Sequence, residues 1–273
     1  MPGRSDTPPR PMKIVVCIKQ VPDSDKVTID RTTNRLDRTG VPAVINPFDE
    51  NALEVALRLR DAVPGSTVTV VTMGPPQAET AVREALARGA TDGVLVCGRE
   101  FGGADTWATG YTLALAIRKL GPVDLLLFGK QATDGDTAQV GPGVAYHLGL
   151  PVLTYAKSVE PAGDKALKVV RTTEDGHEEW EVDLPCALTV VKEAGELRIG
   201  SLKSKMAAKK AQIPVWGVAE LSPDPDKIGL KGSPTRVKES FPKALKGKGE
   251  VVTLDAEAEA DYLLEKLREK FVI

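Results

Sequence analysis

The sequence predicts an α/β protein: a doubly wound, mostly parallel sheet with an antiparallel excursion and an extended C-terminal arm. Three observations carry this. Between Lys13 and Tyr155, short apolar runs alternate with amphipathic stretches, the rhythm of βαβ crossovers that cover both faces of a parallel sheet. After Ala156, two alternating runs flank Glu174-Asp175-Gly176, a hairpin signal. After Glu193, lysines and prolines replace the apolar runs.

The elements follow in order. Ile14–Ile18 is a β-branched run and the first strand. Asn46-Pro47-Phe48-Asp49 opens a helix: Asn46 can cap it, Pro47 suits its first position and Asp49 stands at capping-box spacing. Leu53, Leu57 and Arg60, with Ala52 and Ala56, then share one face. Thr67–Met73 is the second strand, closed by Gly74-Pro75-Pro76. A helix over Gln77–Ala87 ends at Gly89, which suits a left-handed cap. Gly93–Cys97 is the third strand, followed by a glycine-rich loop and a helix over Thr106–Leu120. Val123–Phe128 is the fourth strand, 129–137 a polar loop, Ala138–Leu148 a helix and Val152–Tyr155 the fifth strand. Lys165–Thr172 and Glu178–Leu184 form the antiparallel excursion, and Ala187–Val191 is apolar again. Beyond 193, Lys203, Lys205, Lys209 and Lys210 cluster, and Pro214, Pro223, Pro225, Pro234 and Pro242 interrupt the chain. Ala256–Phe271 regains a helical pattern, with Leu263, Leu264 and Leu267 on one face. The expected organisation is a leader over 1–11, a nucleotide-binding domain over 12–193, and an arm over 194–273 that lies across a partner.

Composition excludes several classes. The 273 residues are 42% hydrophobic and 27% charged, with a net charge of −2, which opposes disorder and a dedicated nucleic-acid binder. No apolar run approaches the ~20 residues of a spanning helix, and the proline-rich start carries no secretory signal. Three cysteines (Cys17, Cys97, Cys186) and two histidines (His147, His177) suggest no disulfide framework and no metal set. These features point to a reduced, cytoplasmic protein without membrane insertion. Neither histidine has a Ser or Cys partner at a recognisable spacing, so no catalytic nucleophile stands out and both read as structural or solvent-facing, His177 within the hairpin turn.

In a doubly wound sheet, ligands bind beyond the carboxyl ends of the strands. Four loops qualify: Cys17–Val21, Met73–Pro76, Gly98–Thr106 and Gly129–Thr137. The last feeds a helix N-terminus, whose amides can hold phosphate. Asp134 and Asp136 carry the wrong charge for that and could instead accept ribose hydroxyls or hold the turn; an ordinary capped βα loop is the plainer alternative. Glycines in Phe101-Gly102-Gly103-Ala104-Asp105-Thr106 permit close approach of a flat or phosphorylated ligand, with Thr106 and Thr109 as donors. A plain loop capped by Asp105 fits equally well.

Together these pieces resemble the β subunit of electron transfer flavoprotein. The likeness rests on Lys13-Ile-Val-Val-Cys-Ile-Lys19-Gln-Val-Pro22, Asn46-Pro47-Phe48-Asp49, Gly129-Lys130-Gln131-Ala132 and Leu202…Met206…Lys209-Lys210, and it runs from about Met12 to the C-terminus. It implies a heterodimer whose α subunit carries a redox FAD, with the C-terminal arm wrapped around that partner. Ser201, Leu202, Lys203 and Met206 then fall in the segment that docks an acyl-CoA dehydrogenase or related flavoprotein, Leu202 as its anchor.

Two subgroups differ in the nucleotide held by this subunit: structural AMP, or a second FAD that accepts hydride from NADH in electron bifurcation. The runs 134–142 and 101–106 look like the bifurcating type, although Lys130 stands where many such members have Arg. The resemblance implies cofactor contacts from Cys17, Lys19, Asn46, Pro47, Phe48, Asp49, Met73, Gly102, Gly103, Ala104, Asp105, Thr106 and Thr109. It adds the whole run Gly129, Lys130, Gln131, Ala132, Thr133, Asp134, Gly135, Asp136, Thr137, Ala138, Gln139 and Val140. Ferredoxin or flavodoxin would serve as a further acceptor. The chain is thus an electron carrier, with an NADH-oxidising flavin site if bifurcating. Universal-stress and adenine-nucleotide-hydrolase domains share this architecture and would predict ATP binding instead, but leave the arm without a purpose. An AMP-holding assembly scaffold is the third alternative.

Overall fold

A computed structural model describes residues 8–23, 28–30, 35–37, 42–236, 249 and 251–272. Its elements in chain order are β1 (Lys13–Cys17), β2 (Gln20–Pro22), β3 (Thr28–Asp30), β4 (Arg35–Asp37), β5 (Ala43–Ile45), α1 (Pro47–Ala62), β6 (Thr67–Met73), α2 (Glu79–Arg88), β7 (Asp92–Val96), α3 (Thr106–Leu120) and β8 (Leu125–Gly129). They continue as α4 (Val140–Leu148), β9 (Val152–Pro161), β10 (Ala166–Thr173), β11 (Gly176–Asp183), β12 (Cys186–Val190), α5 (Leu202–Lys210), β13 (Val215–Trp216), α6 (Val218–Leu221) and α7 (Ala256–Glu269).

Among the described residues, nine strands form one sheet in the order β11-β10-β9-β12-β8-β1-β6-β7-β13. From β12 to β13 every neighbouring pair is parallel, as the continuous Val/Ile/Leu runs of doubly covered strands require. The hairpin β10–β11 and its pairing with β9 are antiparallel. The predicted excursion is there, closed by a two-residue turn at Glu174-Asp175; His177 is in β11, opposite Thr172, not in the turn. β9 runs to Pro161, well past Tyr155, because its outer half pairs with β10. Residues 20–45, without predicted strands, hold the short ribbons β2–β5 and β3–β4.

Strand side chains alternate between two apolar layers. Ile14, Val16, Val68, Val70 and Leu188 pack with Leu53, Leu57, Ala81 and Val82 of α1 and α2. Val15, Val71, Val96, Leu126 and Phe128 pack with Leu113, Ile117 and Val144 of α3 and α4. α3 keeps its expected bounds because Asp105 caps it and Gly121, at φ +92°, ends it.

By contacts the chain divides into residues 1–237 and residues 238–273. The polar stretch after 193 therefore stays on the sheet domain for more than forty residues: β13 extends the sheet beside β7, and Leu221 and Ile228 are buried in the α3–α4 layer. No regular pattern marks this stretch, since it contributes isolated apolar residues between prolines. In the second unit, α7 is capped by Asp255 and buries none of its residues. Part of the expected leader, residues 1–7, lies outside the described residues, as does Pro242. Arg10 already pairs with Asp124 at 2.6 Å, so contacts with the sheet domain begin before Met12. No described helix is long and apolar enough to cross a membrane.

Ile228 lies at 5% exposure, so Ile228→Ala should cost about 2–4 kcal/mol in urea unfolding. A stretch laid loosely over the surface would register almost no loss.

Candidate functional site

The order of strands reverses between β1 and β8: the chain moves from β1 to β6 and β7, then returns to β8 on the other side. The crevice beyond the carboxyl ends of these two strands is where such sheets take ligands. The first turn of α1 joins its two sides. Asp49 accepts the Lys19 amide at 2.7 Å and the Gly129 amide at 3.1 Å, one on each carboxylate oxygen. A Cβ on Gly129 would lie 2.4 Å from the Asp49 oxygen and 2.6 Å from the Phe48 carbonyl carbon, so only glycine lets the strand end approach.

Asn46 is fully buried, and its side chain does not cap α1 as expected. Its Nδ2 donates to the Gln131 carbonyl at 2.8 Å and its Oδ1 accepts the Thr133 amide at 3.1 Å. Its backbone carbonyl serves the helix instead, accepting from Asp49 and Glu50. Asn46 and Asp49 therefore lie beneath the 129–139 loop and shape it.

Both acidic residues of that loop have partners within the site. Lys19 Nζ closes on Asp134 at 2.8 Å across the crevice, and Gln131 Nε2 donates to Asp136 at 2.6 Å. Asp136 and Ala138 have φ of +50° and +54°, in the left-handed region. That turn displaces the expected helix start from Ala138 to Val140. Gln139 gives α4 no side-chain cap, which leaves the amide end of the helix turned to the loop. Gly141 packs so closely on Thr189 and Phe128 that a Cβ would meet Thr189 at 2.9 Å.

The second loop approaches this site only at one end. Thr106 stands near Gly143, and α3 crosses α4 where a Cβ on Gly110 would lie 3.2 Å from the Gly143 carbonyl carbon. A Cβ on Gly102 would lie 3.1 Å from the Arg99 carbonyl oxygen. Gly103, at φ +73°, is covered by Leu230, and Asp105 is shared between two tasks. One oxygen caps α3 by accepting the Trp107 and Ala108 amides, and the other accepts the Thr235 amide and hydroxyl at 3.0 and 2.8 Å. The Asp105 amide in turn meets Ser233 Oγ at 2.8 Å. The space expected above these glycines is thus filled by residues 228–235. Thr109 continues α3, with its amide bonded to the Asp105 carbonyl. Met73 ends β6 half-buried, where the Gly74 amide reaches the Val96 carbonyl.

Lys130 does not point into the crevice. It reaches over β12 to place its ammonium 5.2 Å from the ring centroid of Tyr155. Tyr155, at φ +62°, is held there by its amide on Thr189 Oγ1 at 3.0 Å. Sequence reasoning missed this pair, because Tyr155 is marked only by its backbone conformation and Thr189 only by its contact with Tyr155. On the opposite layer, Ser201 caps α5 by accepting the Ser204 amide, and Leu202, Lys203 and Met206 are exposed. Among the described residues no acidic, His or Cys cluster could hold a metal ion.

Burial pushes the Asp49 carboxyl up to about 7, against the opposing pull of its amide bonds and the Lys19 charge. Burial and the neighbouring Asp49 charge raise the Cys17 thiol far above its usual range, so this thiol is inert.

Comparison with known proteins places the chain in a family. The electron transfer flavoprotein domain matches residues 33–221. The chain is 48% identical over 262 residues to an electron transfer flavoprotein subunit beta of Clostridium acetobutylicum, covering 96% of this chain and 100% of that one. It is 48% identical over 263 residues to the caffeyl-CoA reductase-Etf complex subunit CarD of Acetobacterium woodii, again covering 96% and 100%. It is 42% identical over 269 residues to the acryloyl-CoA reductase electron transfer subunit gamma of Anaerotignum propionicum, with the same coverage.

An acid whose folded pKa lies above its unfolded value stabilises the fold below the unfolded value, and that stability is lost as pH rises through the folded one. Urea unfolding should therefore show stability falling from about pH 4 to about pH 7 through Asp49. Asp49→Asn should remove this slope while costing about 1–3 kcal/mol for one orphaned amide. An unchanged slope in the variant would contradict the assignment.

Proposed function

This chain belongs to the β-subunit family of electron transfer flavoproteins, and from that premise we propose that it holds a second FAD in the crevice between β1 and β8. In this reading it pairs with an α subunit, takes electrons from NADH, and passes them through the α-subunit flavin to an acyl-CoA dehydrogenase-type flavoprotein. The relatives named for caffeyl-CoA and acryloyl-CoA reductases support that class of partner. A ferredoxin or flavodoxin is proposed as the second acceptor, and the cytoplasm as the compartment, in keeping with three free cysteines.

The observation that carries the reading is the loop between Gly129 and Val140. Its two carboxylates have partners at Lys19 and Gln131, and it delivers an uncapped helix end to the crevice. The amides at the start of α4 would hold a diphosphate, assisted by the positive end of the helix dipole. Asn46 and Asp49 would keep the loop in this shape, while Thr106 and Thr109 stand at the α3 end for hydrogen bonds to the ring. A bound FAD would supply hydride acceptance and one-electron transfer, neither of which a side chain here can perform. The arm, including α7, would wrap the α subunit. Its Leu263 and Leu264 are exposed, at 58% and 43%.

AMP in the same crevice is the second reading. Leu230 over Gly103 favours it, because AMP needs no open space above that loop. Counting cofactors in the purified heterodimer separates the two. Two flavins, one of them reduced by NADH, are expected; one flavin with one AMP would refute the second FAD.

A further inference from the structure

Helix α5 has nine residues, buries only Ala208, and carries lysines at 203, 205, 209 and 210. Isolated helices of that length do not persist in water. Its exposed apolar side chains, Leu202 and Met206, stand four residues apart and share one face; Ile199, at 86% exposure, precedes them. What holds the helix comes from α1 and α2.

At its C-terminal end, Arg83 of α2 donates to the carbonyls of Ala208, Lys209 and Ala211 at 2.8, 3.2 and 3.1 Å. Lys209 lies in the last turn, whose carbonyls a helix end leaves short of partners, Ala208 also accepts the Ala211 amide, and the guanidinium complements the negative end of the dipole. Arg83 is itself fixed by Glu79 one turn back, at 2.8 Å from Nε. At the N-terminal end, the Ser204 hydroxyl donates to the Ala87 carbonyl at 2.7 Å and Arg88 donates to the Arg198 carbonyl at 2.9 Å. The Arg198 amide, Nε and terminal nitrogen close on the buried Glu54 carboxylate at 3.1, 3.0 and 3.0 Å. The backbone crosses α2 at Gly200, where a Cβ would lie 2.0 Å from the Ala87 carbonyl oxygen. None of these contacts uses Ile199, Leu202 or Met206, so the apolar face stays presented.

We propose that Arg83 is a positioning residue for partner docking: together with Arg198 at the other end, it keeps α5 a preformed helix. The Leu202–Met206 face and Ile199 then meet an apolar pocket on a flavoprotein whose acidic rim complements the four lysines, with no helix to be ordered on contact. Preorganisation of this kind raises affinity by removing an entropy cost. The inference rests on reading α5 as the docking element and goes further by naming what sets its affinity.

The test uses the complete heterodimer with an acyl-CoA dehydrogenase as acceptor. Arg83→Met should raise KM for the acceptor about tenfold with kcat and reduction by NADH unchanged, and should speed hydrogen exchange of the α5 amides. Arg83→Lys, which keeps the charge without the fork, should fall between. An unchanged KM in Arg83→Met, beside a raised KM in Leu202→Ala, would overturn the proposal while leaving the docking reading intact. An unchanged KM in Leu202→Ala would overturn the docking reading and this proposal with it. Should Arg83→Met fail to assemble, Arg83→Gln keeps a shorter polar side chain without the guanidinium fork; a several-fold rise in KM supports the proposal and no rise overturns it.

Discussion

A single carboxylate joins the two sides of the crevice. Asp49 takes the Lys19 amide, two residues past β1, on one oxygen and the Gly129 amide at the end of β8 on the other. Parallel strands alone do not fix where their following loops go, because the ladder ends at the sheet edge. With Asp49 in place, both loops depart from a common point. Gly129 can then pass so close to α1 that a side chain would not fit. Burying such a group is costly unless its hydrogen bonds are made, and here the bonds made are those that define the site.

Helix α1 carries this constraint to both ends of the proposed function. Its first turn, through Asn46 and Asp49, shapes the loop above the crevice. Two turns on, Glu54 holds Arg198 and so the approach to α5. Burial works to raise the Glu54 carboxyl, but hydrogen bonds and charge from Arg198 and hydrogen bonding from Arg58 outweigh it and hold Glu54 below its usual range. The 129–139 loop and helix α5 are therefore referenced to one rigid element packed on the sheet. The Gly102–Asp105 loop is referenced elsewhere, to residues 228–235 through Asp105 and Leu230. Any ring bound near Thr106 would meet a wall built partly by the stretch that leads toward the arm.

Much of the fold was legible because its signals are local. Thr67–Met73 and Thr106–Leu120 stand at their expected bounds, the first from its β-branched run and the second from its cap and terminal glycine. Asn46 was legible as important but not in its role, since a capping side chain and a loop-bridging side chain leave the same sequence mark. The left-handed turn at Asp136 and Ala138 was not legible, because neither residue is glycine; Asp136 is held by its amide on the Ala132 carbonyl and by Gln131 on its carboxylate. The attachment of residues 194–237 was hidden for another reason. A two-residue strand and two isolated apolar residues have no period to detect, yet the edge of the sheet and the α3–α4 layer receive them.

Asn46 and Asp49 shape the 129–139 loop from below, where the proposed nucleotide would sit. The most direct measurement is the nucleotide content of the heterodimer purified with Asn46→Ala. The account predicts an assembled heterodimer that retains the α-subunit flavin but has lost most of the nucleotide held by this chain. Full retention of that nucleotide, at wild-type affinity, would contradict it.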